Sequence, residues 1–127
     1  MKKTIQTLLL AIMFVGLFAF NNANAQVTVT ATLGQTGPDV YTTLKTAFDA
    51  INAGGGTGAI TVTIKDNTTE TLEAILNQTN YTVQVVPDGN RIVEGNIVGA
   101  TVLLNGADNV TIDGLSHSGP NSLTFRN

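Results

Sequence analysis

The sequence predicts a mainly β protein: one amphipathic helix at about residues 42–53 among short strands, followed from Arg91 by short strands that begin a solenoid. Three observations predict it. Residues 27–33 and 59–65 alternate apolar and polar side chains with a period of two, the pattern of strands with one wet face. Leu44, Ala47, Phe48 and Ile51 recur at i, i+3, i+4 and i+7, one helical stripe. From Arg91 onward an apolar residue, a polar residue and a Gly recur together three times, at Val93-Glu94-Gly95, Leu104-Asn105-Gly106 and Ile112-Asp113-Gly114.

The chain opens with an address. Lys2 and Lys3 precede an apolar run from Leu8 to Phe20, and Ala23-Asn24-Ala25 closes the segment with small residues on either side of a polar one. This is the layout of a secretory signal peptide, with cleavage expected after Ala25. The apolar run is shorter than the roughly 20 residues a membrane span requires. Residues 1–25 are therefore read as a signal peptide, and the mature chain is expected to carry no membrane span. Its destination is then extracellular or the outer surface of a bacterial cell.

Composition narrows the function classes. The chain has 127 residues, no Cys, one His and a net charge of -3. Cleavage after Ala25 leaves four Lys and Arg against nine Asp and Glu. Disulfide frameworks and thiolate metal sites are excluded. An acidic, thinly charged surface disfavours nucleic acid and anionic lipid.

In the mature chain the first strand is Val27–Leu33, broken by Gly34 to Asp39 with Gly37-Pro38. The helix follows, with Thr42 or Thr43 as its cap and Gly54 available for a left-handed end. Burying Leu44, Phe48 and Ile51 is worth about 1.5–3 kcal/mol each. Replacing Phe48 with Asp is expected to detach the helix. Gly54-Gly55-Gly56-Thr57-Gly58 reads as a flexible connector: it follows a helix and lacks the Lys of a phosphate loop. A second strand is expected over 59–65, a turn over 66–69, a strand over 71–76, another over 81–86 and a turn at Pro87-Asp88-Gly89-Asn90.

The character of the chain shifts at Arg91, so that 26–90 hold the helix and its short strands and 91–127 read as the start of the rungs. Val102 and Leu104 recur as Leu123 and Phe125, and Val93 recurs as Ile112. That spacing suggests a repeat of roughly 20 residues, within the range of solenoids. Short strands with Gly and Asn at the corners fit a parallel β-helix, with Asn105, Asn109 and Asn127 as corner residues whose amides stack along the axis. An antiparallel β-sandwich is the competing architecture, since it uses strands at similar spacing.

Residues 47–54, 58–64 and 104–114 (Leu-Asn-Gly-Ala-Asp-Asn-Val-Thr-Ile-Asp-Gly) carry a resemblance. Together they resemble the N-terminal region of large bacterial secreted surface proteins with a right-handed parallel β-helix of the pectin-lyase-like kind, often ending in a type IX secretion sorting domain. The resemblance implies an N-terminal cap over 26–90, with its helix closing the open end of the coil, then rungs from 91 onward. It also implies that this chain is an N-terminal fragment, truncated after the first rungs, whose partners include the downstream rungs of the same protein.

Candidate chemistry is sparse, and no catalytic, cofactor-binding or metal residue is assigned. Enzymes of the resembled fold cluster Asp, Lys and Arg on one sheet face and use calcium. Here Glu94 and Asp113 each stand between an apolar residue and a Gly, a potential carboxylate pair on adjacent rungs; solvated corner residues are the simpler expectation. Turn chemistry accounts for Asp66, Asp88-Gly89-Asn90 and Asp108-Asn109. His117, between Ser116 and Ser118, sits before a Gly-Pro and reads as a loop residue. Tyr41, Tyr81 and Phe125 are core or rim aromatics that offer faces to sugars. The sequons at Asn67, Asn77 and Asn109 are incidental to a Thr- and Asn-rich composition. The expected function is a non-catalytic, adhesin-like surface that meets extracellular polysaccharide or matrix. The alternatives are the capping segment of a secreted polysaccharide lyase or glycoside hydrolase whose active site lies beyond residue 127, and a free-standing small β domain.

Overall fold

The computed structural model describes residues 26–34, 39–77, 80–115 and 122–127. The expected signal peptide, the Gly37-Pro38 break and the stretch 116–121 with His117 lie outside them. The described chain is mainly β with one short helix. Its elements are β1 (Val27–Leu33), β2 (Val40–Tyr41), α1 (Leu44–Asn52), β3 (Thr57–Ile64), β4 (Thr68–Glu70), β5 (Ala74–Asn77), β6 (Thr82–Pro87), β7 (Arg91–Gly95), β8 (Val102–Asn105), β9 (Val110–Ile112) and β10 (Leu123–Arg126).

Three sheets result, ordered β2-β1-β3-β6-β9, β10-β7-β4 and β5-β8. From β3 onward the chain visits them in a fixed sequence: first, second and third sheet, then first, second and third again, then first and second. Each strand from β6 on pairs in parallel with the strand one circuit earlier. Antiparallel ladders between named strands are confined to β1 with β2 and β1 with β3. An all-antiparallel sandwich is therefore not the architecture.

Register locates the core. Val29, Val62, Val85 and Ile112 face one another across β1, β3, β6 and β9, as do Ala31, Ile60, Val83 and Val110. β-Branched residues suit such stacked, pleated columns. Ala74 and Leu76 of β5 and Val93 of β7 close the interior from the other two sheets. Burial fades toward the last strands: Leu104 and Ile112 are 43% and 42% exposed, whereas their register partners Leu76 and Val85 are buried.

The amphipathic stripe forms the helix it predicts. Leu44, Ala47, Phe48 and Ile51 are buried, and α1 packs against β5, β1, β2 and β4. Thr43 is the cap: its hydroxyl accepts from the Thr46 N–H at 3.2 Å and the Thr46 hydroxyl accepts from the Thr43 N–H at 3.3 Å. Gly54, at φ 82°, turns the chain out of the helix.

Four expectations need correction. The strand expected at 59–65 begins at Thr57, because Thr57 pairs with Leu33 around a bulge, so the flexible connector is shorter than 54–58. The turn expected over 66–69 ends at Asn67; Thr68 and Glu70 point inward in β4. The strand expected over 71–76 is shorter at its start: Thr71 and Leu72 bend, Leu72 stands 61% exposed, and β5 starts at Ala74. The repeat is longer than the spacing of Val93 and Ile112 suggests, and it is uneven. Ala59 pairs with Thr82, Thr68 with Val93, Ala74 with Val102, Val83 with Val110 and Arg91 with Leu123, a different sequence interval each time. Connections of unequal length break the sequence period while the strands stay in register.

Candidate functional site

Polar side chains at the corners bond one circuit upward. Asn67 Oδ1 accepts from the Ile92 N–H at 2.9 Å, and Asn90 Oδ1 accepts from the Ser122 N–H at 3.1 Å. At another corner Asn52 Oδ1 accepts from the Asn77 N–H at 2.9 Å, and the Asn105 amide donates to Asn77 Oδ1 at 2.9 Å. Asn105 is thus a stacking corner residue, and Asn109, at φ 57°, is a left-handed one. Asn127 does a different job: its amide donates to the carbonyls of Ile97 at 3.1 Å and Gly99 at 2.8 Å. The side chains of Asn67 and Asn77 are therefore held within the fold, which leaves those sequons a structural role.

Glu70 carries no signal in the sequence. It is fully buried, and its two carboxylate oxygens accept from the N–H groups of Leu44 at 2.9 Å and Lys45 at 3.0 Å. With Thr46 served by Thr43, the first turn of α1 keeps no orphan donor. The negative charge sits at the positive end of the helix dipole. Glu70 fastens the helix to the first circuit. It belongs to the architecture.

Glu94 and Asp113 are not brought together. Glu94 lies in β7 opposite Thr69 and Arg126, and its carboxylate pairs with Arg126 Nε at 3.0 Å on the open face of the second sheet. Asp113 follows β9 in the first sheet, and its Oδ1 accepts from the Leu115 N–H at 2.9 Å. The carboxylate-pair reading fails because the two residues belong to different sheets, so no register makes them neighbours. Asp66 accepts from the Asn67 N–H at 2.8 Å, ordinary turn chemistry. Among the described residues no group of three or more His, Asp or Glu side chains is placed to hold a metal ion. Among them also, no helix is long and apolar enough to cross a membrane. Tyr41, Tyr81 and Phe125 are partly buried and pack against the core.

Two surfaces remain. The outer face of the first sheet is a field of hydroxyls and amides. Thr28 stands opposite Thr63, while Thr30, Thr61, Gln84 and Thr111 form one row across β1, β3, β6 and β9, at the strand spacing of about 4.8 Å. The other is a cleft of about 500 Å³ where the first turn of α1 and the segments 71–73 and 96–98 meet. Leu72, Ile75, Ile97 and Val98 give it an aliphatic wall; Lys45, Glu73 and Asn96 add polar groups.

Comparison with known proteins adds no relative: no family model, no curated protein and no solved structure matches the chain.

Proposed function

We propose that this chain is the opening segment of a secreted or cell-surface protein built as a right-handed parallel β-helix, and that it serves as a non-catalytic surface for extracellular polysaccharide or matrix. The observation that carries the reading is the order in which the strands visit the three sheets, each one parallel to its predecessor by one circuit. That order is what a coil of strands requires, and a right-handed crossover is the rule for parallel connections. The packing of α1 against β5, β1, β2 and β4 fits a helix that lids such a coil. The half-exposed Leu104 and Ile112 leave the interior columns of β5 and β6 open on their far side.

Secretion rests on the layout of residues 2–25. The glycan reading rests on the hydroxyl face, which offers rows of uncharged donors and acceptors to a polyol. Sedimentation of the purified protein with insoluble polysaccharides tests it. Retention on at least one neutral polymer is expected, weakened when Thr30, Thr61 and Thr111 are replaced together by Val. Failure to sediment with any polymer refutes the glycan reading, and an exported form that does not begin at Gln26 refutes the leader.

A further inference from the structure

The segment 96–100 is held more firmly than its place in the fold requires. The Asn96 N–H donates to the Glu70 carbonyl at 3.0 Å and the Ala100 N–H to Glu73 Oε1 at 3.1 Å. The Asn127 amide bonds the carbonyls of Ile97 and Gly99, and its Oδ1 accepts from the Ile97 N–H at 3.4 Å. Gly99, at φ 134°, leaves room for Glu73: a Cβ there would meet the Glu73 carboxylate. All this order presents Val98, a fully exposed aliphatic residue, beside Leu72 of the preceding circuit, itself mostly exposed.

Fixing a backbone costs about 1–2 kcal/mol per residue, and Val98 returns none of it to the core. An exposed aliphatic pair on a braced support is the mark of a surface that meets something else. The cleft volume, about 500 Å³, lies within the range of roughly 300–1,000 Å³ common to small-molecule sites.

The lining defines the ligand. One wall is aliphatic and can take the C–H face of a ring. The polar groups, Lys45, Glu73 and Asn96, supply donors and acceptors for hydroxyls. Lys45 and Glu73 carry opposite charges, and Asp49 already pairs with Lys45, so nothing in the cleft favours an anionic ligand. We propose that this cleft is a binding subsite for one uncharged sugar ring of a polysaccharide, with its apolar face on Leu72, Ile75, Ile97 and Val98 and its hydroxyl edge on Lys45, Glu73 and Asn96. The assignment rests on the glycan reading above and adds a subsite to the contact made by the hydroxyl face.

Methyl-resolved NMR on the purified protein tests it, with cello-, xylo- and chito-oligosaccharides as probes and octanoate as the apolar competitor. Saccharide-dependent shifts are expected at the Leu72, Ile75, Ile97 and Val98 methyls. Val98→Asp, at a fully exposed position, is expected to weaken that binding about tenfold or more. Shifts confined to the Thr-rich face would overturn the cleft assignment and leave the glycan reading standing. Octanoate binding without saccharide binding would overturn the assignment in favour of an apolar ligand. No saccharide response anywhere in the molecule would overturn both.

Discussion

Glu70 offers the sharpest test of how the helix is attached. Replacement by Ala removes both acceptors from the first turn of α1. The Leu44 N–H is buried and would be left without a partner; the Lys45 N–H is only partly buried, so water can reach it. A buried donor left unpaired costs about 1–3 kcal/mol, and the favourable charge–dipole contact adds about 0.3–1 kcal/mol. The sum for Glu70→Ala is about 3 kcal/mol, a large share of the roughly 5–15 kcal/mol that holds a typical domain. Glu70→Gln keeps one acceptor and should lose about half as much. The assay is urea unfolding followed by far-ultraviolet circular dichroism, since the chain has no Trp. A Glu70→Ala variant within about 0.5 kcal/mol of the parent would refute the claim that this carboxylate fastens the helix.

Three more tests reach other parts of the fold. Gly95→Ala places a methyl against Thr101 Oγ1 and Asn127 Oδ1, and should cost about 1–3 kcal/mol in the same unfolding assay; an unchanged midpoint would show that those side chains have room to move. Asn77→Ala and Asn105→Ala should each destabilise by about 1 kcal/mol, and a double-mutant cycle should return a coupling energy for their amide bond, whereas strict additivity would deny it. Burial, and secondarily the charge of Asp39, raises the Tyr41 phenol above its ordinary value of 10.0. The folded state thus favours the neutral phenol: that contribution is complete below 10.0 and is lost as pH rises through the raised value. An absorbance titration should show a late tyrosinate for Tyr41, lowered only in part by Asp39→Asn; a Tyr41 transition at or below 10.0 would contradict the burial argument.

Whatever a local period encodes is legible in the sequence. Leu44, Ala47, Phe48 and Ile51 announce their helix because one stripe must be buried, and Val27 to Leu33 and Ile60 to Ile64 announce strands for the same reason. β4 escapes such a reading because so short a strand shows no period, and its inward side chains, Thr68 and Glu70, are polar. The spacing of Val93 and Ile112 misleads because pairing is set by register between strands, while the sequence interval also counts the connections. The surface cleft is illegible for a related reason. Lys45, Leu72 and Ile97 belong to three separate segments and meet only in the folded chain. Stacked amides are foreseeable at Asn105, whereas the clamp by Asn127 on Ile97 and Gly99 depends on a long-range approach.

The unequal offsets between paired strands have an evolutionary reading. Because neighbouring strands keep step in space whatever the length of chain that joins them, an insertion at a corner lengthens a surface loop and leaves the stacked interior untouched. Such a scaffold separates what it must preserve from what it can vary. Lineages facing new surroundings can remodel the decorations circuit by circuit, on a frame that does not have to be reinvented.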